Sequence, residues 1–188
     1  DNTVAIGINA LYSQNGVNGN VYNTAVGANA GFSVTSGVQN TIIGARAGDA
    51  ITDADYNTAV GEQALTSDTL GSRSTAIGFA ALSTQNFTTA TDVYNVAIGH
   101  GTGGNITTGL YNTLIGGLAG DALTDADHNV AIGFNALSSD TLGSASIAIG
   151  KGALNGQNFT TATTAYNVAV GHSAGTSVTT GTSNTFLG

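Results

Sequence analysis

Asn23-Thr24-Ala25-Val26-Gly27-Ala28-Asn29-Ala30 recurs, with small changes, from one end of the 188-residue chain to the other. The glycine of each copy falls at Gly7, Gly27, Gly44, Gly61, Gly78, Gly99, Gly116, Gly133, Gly150, Gly171 and Gly188. Most steps are 17 residues, one is 20 and two are 21. Self-similarity at such a period is the signature of stacked repeats.

Aligned on that glycine, the copies show what the repeat demands. Three positions before it stands a β-branched residue in every copy, from Val4 to Thr185, and one before it always Ile, Val or Leu. Between them lies Ala, replaced by Ile42, Leu114 and Phe186. β-branched residues at period two are a strand signal, so each copy is expected to be a short strand. All three positions are apolar or small, which predicts burial on both faces, with the β-branched pair filling the interior and Ala and Gly keeping a face thin enough for a neighbouring backbone. The expected fold is all-β, a parallel β-solenoid of about eleven short coils running continuously over residues 1–188.

Four positions before the glycine sits Asn23, Asn40, Asn57, Asn95, Asn112, Asn129, Asn167 or Asn184, with Thr3, Ser74 and Ser146 in the other copies. Asn tolerates left-handed backbone, so it is expected to turn a corner, and stacked copies would form an Asn ladder. Four positions after the glycine, Leu and Gly alternate in pairs: Leu11, Gly31 and Gly48, Leu65 and Leu82, Gly103 and Gly120, Leu137 and Leu154, Gly175. Coils with Gly carry their next apolar residue seven after the glycine, at Val34, Ile51, Ile106, Leu123 and Val178. Two coils with Leu carry it nine after, at Leu70 and Leu142, so Leu is expected to replace that later residue in a core of constant volume.

Three steps of 17 and one of 21 make a 72-residue block, 27–98 and 99–170, with partial blocks at both ends. The four extra residues fall in the long loops around Phe87 and Phe159, with a shorter relative at 13–20. These loops would recur about every 19 Å along one side.

The composition is unusual, with 28 Gly, no Pro, Cys, Met or Trp, and 7% charged residues. A net charge of −8 leaves no basic patch for phosphate, which argues against nucleic acid and anionic membrane as partners. No apolar run is long enough for a membrane span, so no membrane insertion of this segment is expected. A first residue other than Met and a stop in mid-repeat point to a piece of a longer polypeptide.

The repeated Asn-Thr-Ala-Val-Gly-x-x-Ala core resembles the head repeats of YadA-like trimeric autotransporter adhesins, and more closely the Asn-Thr-Ala-Ile-Gly repeats of bacteriophage tail fibres. The resemblance extends over essentially the whole chain. It implies a left-handed β-roll, three chains about a common axis, and a place in the shaft or head of a surface fibre, extracellular or on a virion. Independently, a thin coil with apolar strand faces calls for packing against further copies of itself.

His100 and His172 share the slot after the glycine and could converge on a three-fold axis to hold a metal. The mixed occupants of that slot elsewhere, from Ile8 and Glu62 to Phe134 and Lys151, favour plain exposure. Asp53 with Asp55, and Asp125 with Asp127, could offer paired carboxylates to Ca²⁺, but they lack the loops of known calcium repeats and read as solvated corner residues. No cofactor is expected. Three His and a single Glu supply no positioned base or carboxylate pair, so catalysis is not expected.

Tyr22, Tyr56, Tyr94, Tyr111 and Tyr166 share the slot before the Asn, where His128 also stands. With Phe87 and Phe159 on the long loops they form a candidate contact surface for cell-surface polysaccharide or glycoprotein; stacking on one another to stiffen a corner is the plainer reading. Threonines 88, 89 and 91 and their counterparts 160, 161 and 163 raise ice binding as an alternative, at only one loop per block. Function is expected in what varies between copies.

Overall fold

The computed structural model describes residues 2–15 and 19–188. Eleven three-residue strands, from Val4–Ile6 to Thr185–Leu187, form one parallel sheet in which each strand pairs with its counterpart in the next coil. Each strand occupies the three residues before a reference glycine, in register: Ala25 lies opposite Ala5 on one side and Ile42 on the other. Two shorter parallel pairs, Gly71–Ser72 with Thr91–Asp92 and Gly143–Ser144 with Thr163–Thr164, add a second ladder beside the long loops. The chain is a parallel β-solenoid.

The direction of the strand side chains corrects the expectation from sequence. Ala25, Ala59, Ala76, Ala97, Ala131, Ala148 and Ala169, the middle residues, point inward and are fully buried, whereas the β-branched residues on either side face outward and are only half-buried or exposed. Alternate strand residues must point to opposite faces, so only one of the two sets can enter the coil. A small middle residue suits so narrow an interior.

The glycines that close each strand have φ between +102° and +139°, a region that L residues avoid. A Cβ on Gly44 would stand 2.5 Å from the carbonyl oxygen of Gly61 in the next coil. The close neighbour that requires glycine is therefore the following coil of the same chain.

Where the middle residue is large, its neighbours make room. Ile42 and Leu114 are fully buried, and a Cβ on Gly31 would lie 3.0 Å from Cδ1 of Ile42 while one on Gly120 would lie 2.9 Å from Cδ2 of Leu114. Gly48 and Gly103 flank the same two side chains. Paired glycines thus bracket Ile42 and Leu114, and Gly175 makes room for Phe186. The later residue shares the compensation: Ile51, Ile106 and Leu123 are buried against Gly48, Gly103 and Gly120, and in the other coils Leu65, Leu82, Leu137 and Leu154 fill the space directly. Those Leu sit at φ of 48° to 54°, so burial of the side chain outweighs a left-handed strain of about 1–2 kcal/mol. Leu70 and Leu142, the later apolar residues of two such coils, are only half-buried, as replacement by Leu65 and Leu137 allows. The inward slot of their coils is held by Asp68 and Asp140.

Candidate functional site

The conserved slot of each coil is structural. Asn112 Nδ2 donates to the Ala126 carbonyl at 2.8 Å, and its Oδ1 accepts from the Asn129 amide at 3.0 Å. Asn23, Asn40, Asn57, Asn95, Asn129 and Asn167 repeat the pattern, each amide donating to a carbonyl 14 residues on. An Asn ladder exists, but inside the coil. The left-handed corner is the residue before it, with φ of 62°, 67°, 56° and 60° at Tyr56, Arg73, Tyr94 and Tyr111. Facing outward, that residue is free to vary, while Asn must satisfy two buried backbone groups.

At the long coils Ser74 and Ser146 replace Asn, and a buried network that sequence reading missed takes over. Gln85 Nε2 donates to Asp68 Oδ2 at 2.5 Å and to Ser74 Oγ at 3.0 Å, and its Oε1 accepts from Asn95 at 2.9 Å. The other Asp68 oxygen accepts from the Gly71 and Phe87 amides, both at 3.0 Å. Gln157, Asp140, Ser146, Asn167 and Phe159 reproduce the arrangement one block later. The signal that could have found it is the slot seven after each glycine, which reads Gln14, Asp68, Gln85, Asp140 and Gln157 in the five coils that carry Leu. This network draws in the long loops, so Phe87 and Phe159 are 7% and 5% exposed and lie beneath the loop rather than on its surface. Residues 88–90 form the exposed tip. In the shorter relative, residues 16–18 lie outside the described residues.

The paired acids serve the preceding coil. Asp53 Oδ1 accepts from Ser36 Oγ at 2.5 Å and Asp55 Oδ1 from the Val38 amide at 2.7 Å. Asp125 and Asp127 do the same for Thr108 and Leu110. His100 and His172 are exposed and four coils apart within one chain; His100 stacks on Phe79 at 5.1 Å. Among the described residues, no group of three His, Asp or Glu is placed to hold a metal. Asp121 is a different case: one carboxylate oxygen is buried without a partner, and burial raises its pKa above the ordinary carboxylate value.

Among the described residues, variable side chains form a continuous array at the tyrosine corner. Tyr94 stacks on Tyr111 at 5.8 Å and Tyr111 on His128 at 5.0 Å, with interplanar angles of 12° and 2°. Arg73 extends the column, its guanidinium 4.7 Å from the Tyr56 ring and 5.8 Å from that of Tyr94. Asp92 holds it from the side, accepting from Nε at 2.9 Å, and this hydrogen bond raises the Arg73 pKa. The stack Tyr56, Arg73, Tyr94, Tyr111, His128 therefore presents ring edges outward, its inner faces being covered by one another and only the outer faces of Tyr56 and His128 lying beyond the stack. Tyr166 stands apart from it beyond Ala145, and Tyr22 before Gln39, its hydroxyl accepting from Asn20 at 3.0 Å. No protein-family model, curated protein or solved structure matches the chain.

Proposed function

We propose that this chain is a shaft or receptor-presenting segment of an extracellular or virion-borne fibre of the phage tail-fibre type, built from three copies of a left-handed roll and contacting cell-surface glycans without catalysis. The observation that carries the reading is the eleven-strand in-register stack with an aliphatic residue facing outward in every coil. At about 4.8 Å per coil the stack is a rod of roughly 50 Å, and the outward column runs its whole length. A stripe of that length, one to two side chains wide, is the kind of apolar surface that a soluble protein covers. Sedimentation of the isolated segment should return three chains; a stable, well-folded monomer would overturn the assembly. A bacterial surface adhesin is the alternative of the same class, distinguished by an outer-membrane anchor elsewhere in the polypeptide.

One observation favours a second reading. The outward slot three before the glycine holds Thr24, Thr41, Thr58 and Thr75 in four successive coils, a flat hydroxyl row that supports ice binding. Val96, Val130, Ile147 and Val168 interrupt it farther along. Zero thermal hysteresis would dispose of that role.

A further inference from the structure

The first 72-residue block closes its tyrosine corner with its own side chain, and the second does not. Tyr56 and Tyr94 stand two coils apart, and the planar guanidinium of Arg73 lies between their rings, held by Asp92. Moving 72 residues along the chain replaces Tyr56 by His128, Tyr94 by Tyr166, Arg73 by Ala145 and Asp92 by Thr164. The backbone is the same in both places: φ is 67° at Arg73 and 59° at Ala145, and Ser72 pairs with Asp92 as Ser144 pairs with Thr164. His128 and Tyr166 are thus two rings separated by two coils, roughly 10 Å, with a methyl group as the floor. Tyr166 is 63% exposed against 47% for Tyr94.

The geometry points to the slot between His128 and Tyr166, over Ala145, as a binding site for a single hexopyranose ring of a surface glycan. This rests on the glycan-presenting role proposed above and names where the contact is made. Arg73 shows that two rings so spaced accept one flat group between them. The charge is what changes: Arg and Asp have been exchanged together for Ala and Thr, so the carboxylate that holds the cation in the first block has no counterpart at residue 164. A neutral ring fits what is left. A pyranose offers C–H groups to an aromatic face and hydroxyls at its rim, where the exposed Tyr166 phenol, the His128 imidazole and the Thr164 hydroxyl can exchange hydrogen bonds. Affinity for one ring is weak, and three copies on a fibre would multiply it.

The test is a titration of the segment with methyl glucopyranoside, methyl galactopyranoside and methyl mannopyranoside, followed by the aromatic NMR signals. Concentrations up to roughly 0.2 M reach the range a single ring contact requires. Axial hydroxyls decide which face of a pyranose can stack, and the three sugars differ in them, so at least one should shift Tyr166 and His128 saturably and leave Tyr94 unmoved. The double variant Ala145→Arg with Thr164→Asp transplants the first block's pair and should weaken binding at least tenfold; Tyr166→Ala should do the same. No shift with any of the three sugars, or undiminished binding by the double variant, would overturn the slot. Shifts caused by methylguanidine and by none of the sugars would overturn it too, in favour of a planar cation. Retention on a glycan array tests the broader role separately: wild type and double variant bound alike would leave the fibre reading standing and sink this site, whereas a saturable shift without array binding would keep the site and count against the role.

Discussion

Replacing Asn112 by Ala removes one rung of the buried ladder and nothing exposed. Three hydrogen bonds vanish: to the Ala126 carbonyl at 2.8 Å, from the Asn129 amide at 3.0 Å, and to Asn95 Oδ1 at 3.3 Å. Two of the abandoned partners are backbone groups at a fully buried position, each costing about 1–3 kcal/mol when left unsatisfied, so the expected loss is about 2–6 kcal/mol. Water entering the space left by the amide would place the result toward the lower end. In a stack where each coil contacts only its neighbours, the damage should centre on the step between the coils of Asn112 and Asn129. Guanidinium titration gives the magnitude, and hydrogen exchange of the Asn129 amide gives the location. Asn112→Ser is the informative companion. Ser occurs naturally at 74 and 146, but there Gln85 or Gln157, 11 residues on, reaches the hydroxyl at 3.0 Å, and the corresponding slot for Asn112 holds Leu123. Ser at 112 should therefore cost nearly as much as Ala. A loss under about 1 kcal/mol for Ala, or wild-type protection at Asn129, would refute the ladder as a source of stability.

Gly44→Ala should be among the most damaging single-methyl changes in the chain, by more than about 3 kcal/mol, because it combines φ of +135° with a Cβ 2.5 Å from the Gly61 carbonyl oxygen. A stability change below about 1 kcal/mol in thermal unfolding would contradict the close approach of the coils. Asp121→Asn should stabilise the protein at neutral pH. Burial raises the carboxyl's pKa in the folded state, so the folded form binds the proton more tightly and the charged side chain destabilises it above that pKa. The advantage of Asn should fade as pH falls through the folded value and the native carboxyl is protonated; a difference independent of pH between neutrality and about pH 3 would contradict the assignment.

The period, the eleven strands, their limits and the parallel stacking were legible in the spacing of the glycines, since an in-register stack repeats the same demand in every coil. The compensation between Leu and Gly was legible too, because the volume inside a coil is nearly constant. Closure of the coil decided the rest. Thr, Ala and Val in a row do not say which of them faces inward; only the nearness of the opposite wall puts Ala25 inside and leaves Thr24 and Val26 outside. The same closure turns Asn112 from a corner residue into an internal rung, and folds Phe87 under its loop through Gln85 and Asp68. It also converts residues 128, 145 and 166, distant in sequence, into one column with a gap. Sequence periodicity records what each coil must share, whereas side-chain direction and contacts across coils depend on how narrow the closed coil becomes.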